Sequence, residues 1–116
     1  MANLSLATPI LPQRITPGSQ FELPFHVHES GQNFNWSGYT PKARIDVTTS
    51  YTNSIVTGTV TNQAGGTALI TLTRAFTLDW DTFVGSFGEM TLFAESASTK
   101  RVIAVIPFQV AAKVIT

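Results

Sequence analysis

The sequence predicts an all-β protein: an antiparallel β-sandwich of about six to eight strands with an extended N-terminal arm. Three observations point there. Apolar and polar residues alternate with a period of two in several short segments. Turn signals rich in glycine, asparagine and serine separate those segments. No stretch holds an apolar period of 3.6 long enough for a substantial helix. The 116 residues fit one domain, with little chain to spare for an elaborate active site.

The arm spans residues 1–17. Pro9, Pro12 and Pro17 disfavour a helix and favour extended chain. Leu4, Leu6, Ile10, Leu11 and Ile15 are too apolar for a solvated tail, so the arm is expected to lie along its own domain or a neighbour. The sandwich domain then covers 18–116. Its first strand puts Phe21, Leu23, Phe25 and Val27 on one face and Glu22, Pro24, His26 and His28 on the other. Pro24 offers no ladder N–H, which predicts an edge, a bulge or a missing donor that points outward.

After a turn at Glu29–Asn33, Gly38 permits the restart of the chain. Tyr39, Ala43, Ile45 and Val47 then share a face opposite Lys42, Arg44, Asp46 and Thr48. A third strand is expected near Ser54–Thr61. The turn at Asn62–Gly66 leads into "TALITLT", a hairpin signal. "RAFTLDWDTF", residues 74–83, breaks the alternation and reads as a helical turn or crossover. A strand at Glu89–Glu95, the turn "SAST" and the run "KRVIAVIPFQV" complete the chain. In that last run Val102, Ala104, Ile106, Phe108 and Val110 are expected to share the core face, with Pro107 pointing away.

Composition narrows the function. Hydrophobic residues make up 43% and charged residues only 12%, against about 25% in average soluble proteins. A surface so poor in charge is weakly guarded against association, and much of it is expected to be covered by other subunits. Net charge is zero, which disfavours nucleic acid as a partner. The chain has no cysteine, hence no disulfide framework and no thiolate metal site. No apolar run approaches about 20 residues, so no membrane partner is expected. "MANLSLATPILPQ" lacks the basic start and long apolar run of a leader peptide, and the sequons at Asn3 and Asn35 read as chance matches.

Candidate chemistry is sparse. His26 and His28 stand on one strand face about 7 Å apart by strand rise. A metal would need a third or fourth ligand, for which Glu22, Glu29 and Glu95 are the candidates. Asp79-Trp80-Asp81 has too few oxygens for calcium, and its carboxylates are too close in sequence to flank a glycosidic bond. It reads as a turn with Trp80 plugging the end of the sandwich. Phe34, Trp36 and Tyr39 form either an exposed aromatic patch or the closure of the core. There is no nucleophile elbow and no phosphate-binding loop. The expectation is a protein that is not an enzyme and holds no cofactor.

The run from Gly18 through "FELPFHV", "WSGYT" and "KARIDV", followed downstream by "GGTALITLT", resembles the small immunoglobulin-like β-sandwich proteins of phage tails. These include tail-fibre collar proteins and the N-terminal domain of baseplate upper proteins. The likeness covers roughly 18–110. Trp36-Ser37 stands where the family has Leu-Thr, and Gly38, Tyr39 and Thr40 are kept.

The resemblance implies a non-enzymatic structural component of a tailed-phage virion, assembled in the bacterial host cytoplasm and acting as a collar, baseplate or fibre adaptor subunit. Its partners would be other virion proteins and further copies of itself. Contacts are expected from Leu4, Leu6, Ile10, Leu11 and Ile15 of the arm, from Trp36, and from Val114 and Ile115 near the C-terminus. The rival readings are a capsid decoration protein, a carbohydrate-binding module using Trp36, Tyr39 or Trp80, and a metal enzyme centred on His26 and His28.

Overall fold

The computed structural model describes residues 3–47 and 51–111, with the backbone alone at 51–53, 81 and 82. Among the described residues ten strands run in chain order: β1 Leu4–Leu6, β2 Gln13–Ile15, β3 Phe21–Glu29, β4 Gln32–Asn33, β5 Thr40–Val47, β6 Tyr51–Thr57, β7 Thr59–Asn62, β8 Thr67–Leu72, β9 Phe87–Glu95 and β10 Lys100–Val110. A short helix α1, Arg74–Thr77, and a 3-10 turn at Leu78–Phe83 join β8 to β9. One sheet has the order β1-β3-β8-β7, with β4 also on β3. The other has the order β2-β10-β9-β5-β6. All pairings are antiparallel except β2 with β10, which is parallel.

The expected alternation makes the core. Leu23, Phe25 and Val27 of β3 and Ile70 and Leu72 of β8 face Ala43, Ile45 and Val47 of β5, Met90 and Leu92 of β9, and Ile106 and Phe108 of β10. The pattern fails at the end of β9, where Leu92, Phe93 and Ala94 are all buried, and at the start of β10. The register slips between Val102 and Ala104, as in a β-bulge. Ile103 therefore turns inward and Val102 outward, at 61% exposure, which corrects the expected core face of β10 at its start.

Residues 3–17 lie along their own domain, one of the two placements expected for the arm. β1 pairs with β3 in one sheet and β2 with β10 in the other, while the segment with Pro9 and Pro12 carries the chain between them. The physical reason is local. Leu4 and Ile15 fit the chain's own core, and burying them there avoids the rotational and translational cost of ordering a second molecule.

The expected single strand at Ser54–Thr61 is likewise two. The chain changes sheets at Gly58, where a Cβ would lie 2.5 Å from the Leu69 carbonyl oxygen and 2.7 Å from Ile70 Cδ1. Only glycine fits so close a crossing.

The strand prolines sit where their missing donors cost little. Val27 donates its N–H to Gly66 O on the β8 side of β3, whereas Ala7 donates to His26 O on the β1 side. Even-numbered residues of β3 thus point their backbone groups toward β1, and Pro24 lies beyond the last residue that β1 pairs. The missing donor of Pro24 faces outward, one of the three placements expected for it. Pro107 follows the same rule: Val110 bonds Ser86 toward β9 and Ala111 bonds Ile15 toward β2, so the nitrogen of residue 107 faces the β2 side.

Candidate interaction surfaces

The expected contact residues divide by burial. Leu4, Ile15 and Trp36 lie in the core and are corrected as contact candidates, because their own domain already covers them. Leu6 and Ile10 are half-buried against that core. Leu11 alone stands out, 76% exposed at the crossing between the sheets. Val114 and Ile115 lie outside the described residues.

Trp36 closes one end of the sandwich. Its ring meets Phe34 edge-on at 5.0 Å and Phe25 at 6.2 Å. Its buried Nε1 has no hydrogen-bond partner among the described residues. Tyr39 packs on Phe34 at 5.3 Å. The Arg101 guanidinium covers both rings, 5.6 Å from Phe34 and 5.8 Å from Tyr39, and donates to a Glu29 carboxylate oxygen. Burial acts to lower the pKa of Arg101, but hydrogen bonds to Glu29 and Tyr39 outweigh it and hold the pKa above its ordinary value. The aromatic cluster thus closes the core.

Trp80 is buried at the β8–β9 crossing and stacks on Phe108 at 5.8 Å with 13° between planes. Thr77, the one buried polar residue among those described, ties this crossing to the turn before β3. Its Oγ1 accepts from Gly18 N at 3.0 Å and donates to Ser19 O at 3.2 Å. With Trp36 and Trp80 both buried, neither offers a ring face to a sugar.

His26 and His28 do meet, edge to face at 4.9 Å, and His26 Nε2 lies 2.7 Å from Asn33 Oδ1. The carboxylates considered as further ligands lie in other contacts. Glu29 binds Arg101, Glu95 binds Lys42 at 2.6 Å and Lys100 at 3.6 Å, and Glu22 accepts from Gln20. Among the described residues no three metal-ligating side chains gather.

The two sheets differ on their outer faces. The β3–β8 face shows Glu22, His26, His28, Thr67 and Thr71. The β10–β9–β5–β6 face shows Val102, Val105, Phe87 and Ile55 instead, with Phe87 64% exposed beside Pro107. None of these four was an expected contact residue. Val105 is legible as an apolar side chain in the outward phase of a run whose other phase is also apolar, whereas Val102 faces outward only because of the bulge that follows it. Several charges on this face pair within it: Arg44 with Asp46 at 3.2 Å, and Lys42 and Lys100 with Glu95. The Lys42 hydrogen bond, opposed by partial desolvation and helped by the charges of Lys42 and Lys100, holds the Glu95 carboxyl below its ordinary pKa.

Two solved structures align with the chain along nearly its whole length. The N-terminal domain of phage TP901-1 ORF48 has a TM-score of 0.51 at 13% identity, covering 97% of this chain and 96% of that one. Bovine butyrophilin has a TM-score of 0.55 at 15% identity, covering 96% of this chain and 56% of that one, so the chain spans little more than half the butyrophilin structure. The fold is an immunoglobulin-like β-sandwich. No family model matches the chain, and no curated protein matches it. Among the described residues no helix is long and apolar enough to cross a membrane.

Proposed function

We propose that this protein is a structural subunit of a tailed-phage virion, a collar, baseplate or fibre adaptor of the tail, working by assembly and without catalysis. The observation that carries this reading is the shared fold with the N-terminal domain of phage TP901-1 ORF48 over nearly all of both chains. The sequence pattern from Gly18 to Val47, which resembles phage-tail sandwiches, supports it independently.

The physical design suits an adaptor. Two sheets packed on one core make a rigid spacer, and the outer face of the five-stranded sheet offers Val102, Val105, Phe87 and Ile55 to a partner. The contacts assigned to the arm pass to this face, because the arm is spent on the chain's own sheets.

The test is antibody labelling of purified virus particles from the host that carries the gene, viewed by electron microscopy. Label on the tail supports the adaptor reading. Label on the head moves the protein to the capsid decoration class. Particles without label, with the antibody shown to bind the free protein, overturn a virion role.

A further inference from the structure

We propose that the outer edge of β6 is a strand-addition site for β6 of a second copy, paired antiparallel across a two-fold axis. This deepens the assembly role proposed above and rests on it for its setting. Its evidence lies in how differently the two sides of the sandwich treat their edges.

On the β1 and β2 side, the open stretches of β3 and β10 carry Pro24 and Pro107, and the crossing segment beside them carries Pro9 and Pro12. Proline at an edge removes a donor that an incoming strand would need. The opposite side has no proline guard, and its register shifts lie near the far ends of β6 and β7, between Ser54 and Tyr51 and between Val60 and Asn62. Residues 51–62, "YTNSIVTGTVTN", form the edge strands β6 and β7 and contain neither proline nor any charged residue. Among the described residues no strand pairs with their outer edges.

The backbone phase is set by β5. Gly58 donates its N–H to Pro41 O at 2.8 Å, and Val56 stands opposite Ala43. Even-numbered residues near this end of β6 therefore bond inward, and Ile55 and Thr57 turn their N–H and C=O groups outward.

A second β6 is the occupant that this edge fits. Antiparallel pairing centred on Ile55 sets Ile55 against its own copy and residue 53 against Thr57. At Ile55 the outward N–H and C=O then meet the same groups of the second copy, and no charge opposes a like charge. Ile55 is 50% exposed and lies across from Arg44, so the nearest charge is one strand further in. The pairing joins two five-stranded sheets into one and brings together their apolar outer faces.

Sedimentation of the full chain over a range of concentrations tests this, with three variants. Ile55→Lys puts lysine opposite lysine. Ile55→Pro removes the outward N–H while leaving the ladder to β5 intact. Each is expected to weaken dimerisation about tenfold or more, with the monomer still folded by circular dichroism. Ile55→Cys, in a chain with no other cysteine, is expected to give a covalent dimer on mild oxidation, because paired Cα atoms about 5.5 Å apart lie within disulfide range.

A wild-type chain that stays monomeric at high concentration overturns the proposal. So does a dimer indifferent to both the Lys and the Pro variants, or an Ile55→Cys protein that stays unlinked. Particle labelling is read separately, so a failed edge pairing and a failed virion role give different results.

Discussion

Arg101 on β10 hydrogen-bonds Glu29 at the end of β3, so an ion pair spanning 72 positions in the chain ties one sheet to the other. The Arg101 side chain is 11% exposed and covers Phe34 and Tyr39, so it acts as lid and clamp together. Arg101→Met keeps much of the apolar cover and removes the charge. It is expected to cost about 1–3 kcal/mol in chemical denaturation, the range for a charge-assisted bond that leaves its acceptor partly buried. Arg101→Lys should recover only part of this, because lysine cannot reproduce the planar stack on the two rings.

Thr77 gives a cleaner test of a buried polar contact. Thr77→Val keeps the shape but leaves the Gly18 N–H without its acceptor, at an expected cost of about 1–3 kcal/mol. Thr77→Ser retains the hydroxyl and loses a methyl, so it should cost less than Thr77→Val. The reverse order in urea melts would show that the methyl, not the hydroxyl, holds the β8–β9 crossing to the turn before β3.

The Glu95 carboxyl titrates below its ordinary value because Lys42 hydrogen-bonds its charged form, with Lys42 and Lys100 adding favourable charge. A folded pKa below the unfolded one means that the stabilisation is present above the unfolded value of about 4.3 and is lost as the pH falls through the folded pKa. Lys42→Met should therefore raise the Glu95 pKa, read by carboxyl-carbon NMR titration. The same variant should shrink the loss of stability on acidification below about pH 4. An unmoved titration would show that the Lys42–Glu95 contact does not persist in solution.

Strands with one buried face were legible from sequence. In β3, β5 and β8 a wrong phase would turn Leu23, Ile45 or Ile70 out to water, so alternation alone fixes them. Features set by contacts between distant residues were not legible. Gly58 marks a change of sheet only because Leu69 and Ile70 crowd it, and nothing near Gly58 announces that crossing. The bulge after Val102 hides in an unbroken apolar run, where shifting the phase by one residue still supplies an apolar side chain to the core. A tryptophan in a turn, such as Trp36, suits an exposed contact and a closure of the core equally. Its burial depends on Phe25 of β3 meeting the ring beside its near neighbour Phe34.

The N-terminal segment yields the prediction that most separates an arm from a pair of strands. A free arm could be cut at Gly18 to leave a folded domain. Here the cut removes β1 and β2, and with them Leu4 and Ile15 from the core. At about 1.5–3 kcal/mol for each buried aliphatic side chain, those two residues account for about 3–6 kcal/mol. Typical domain stability is only about 5–15 kcal/mol, so the chain from Gly18 onward should be poorly folded or aggregated. The paired substitutions Leu4→Ala and Ile15→Ala in the full chain should lower the urea midpoint without changing the native circular dichroism spectrum. A truncated chain that melts cooperatively at the wild-type temperature would show that β1 and β2 add nothing to the domain and return the segment to the role of an arm.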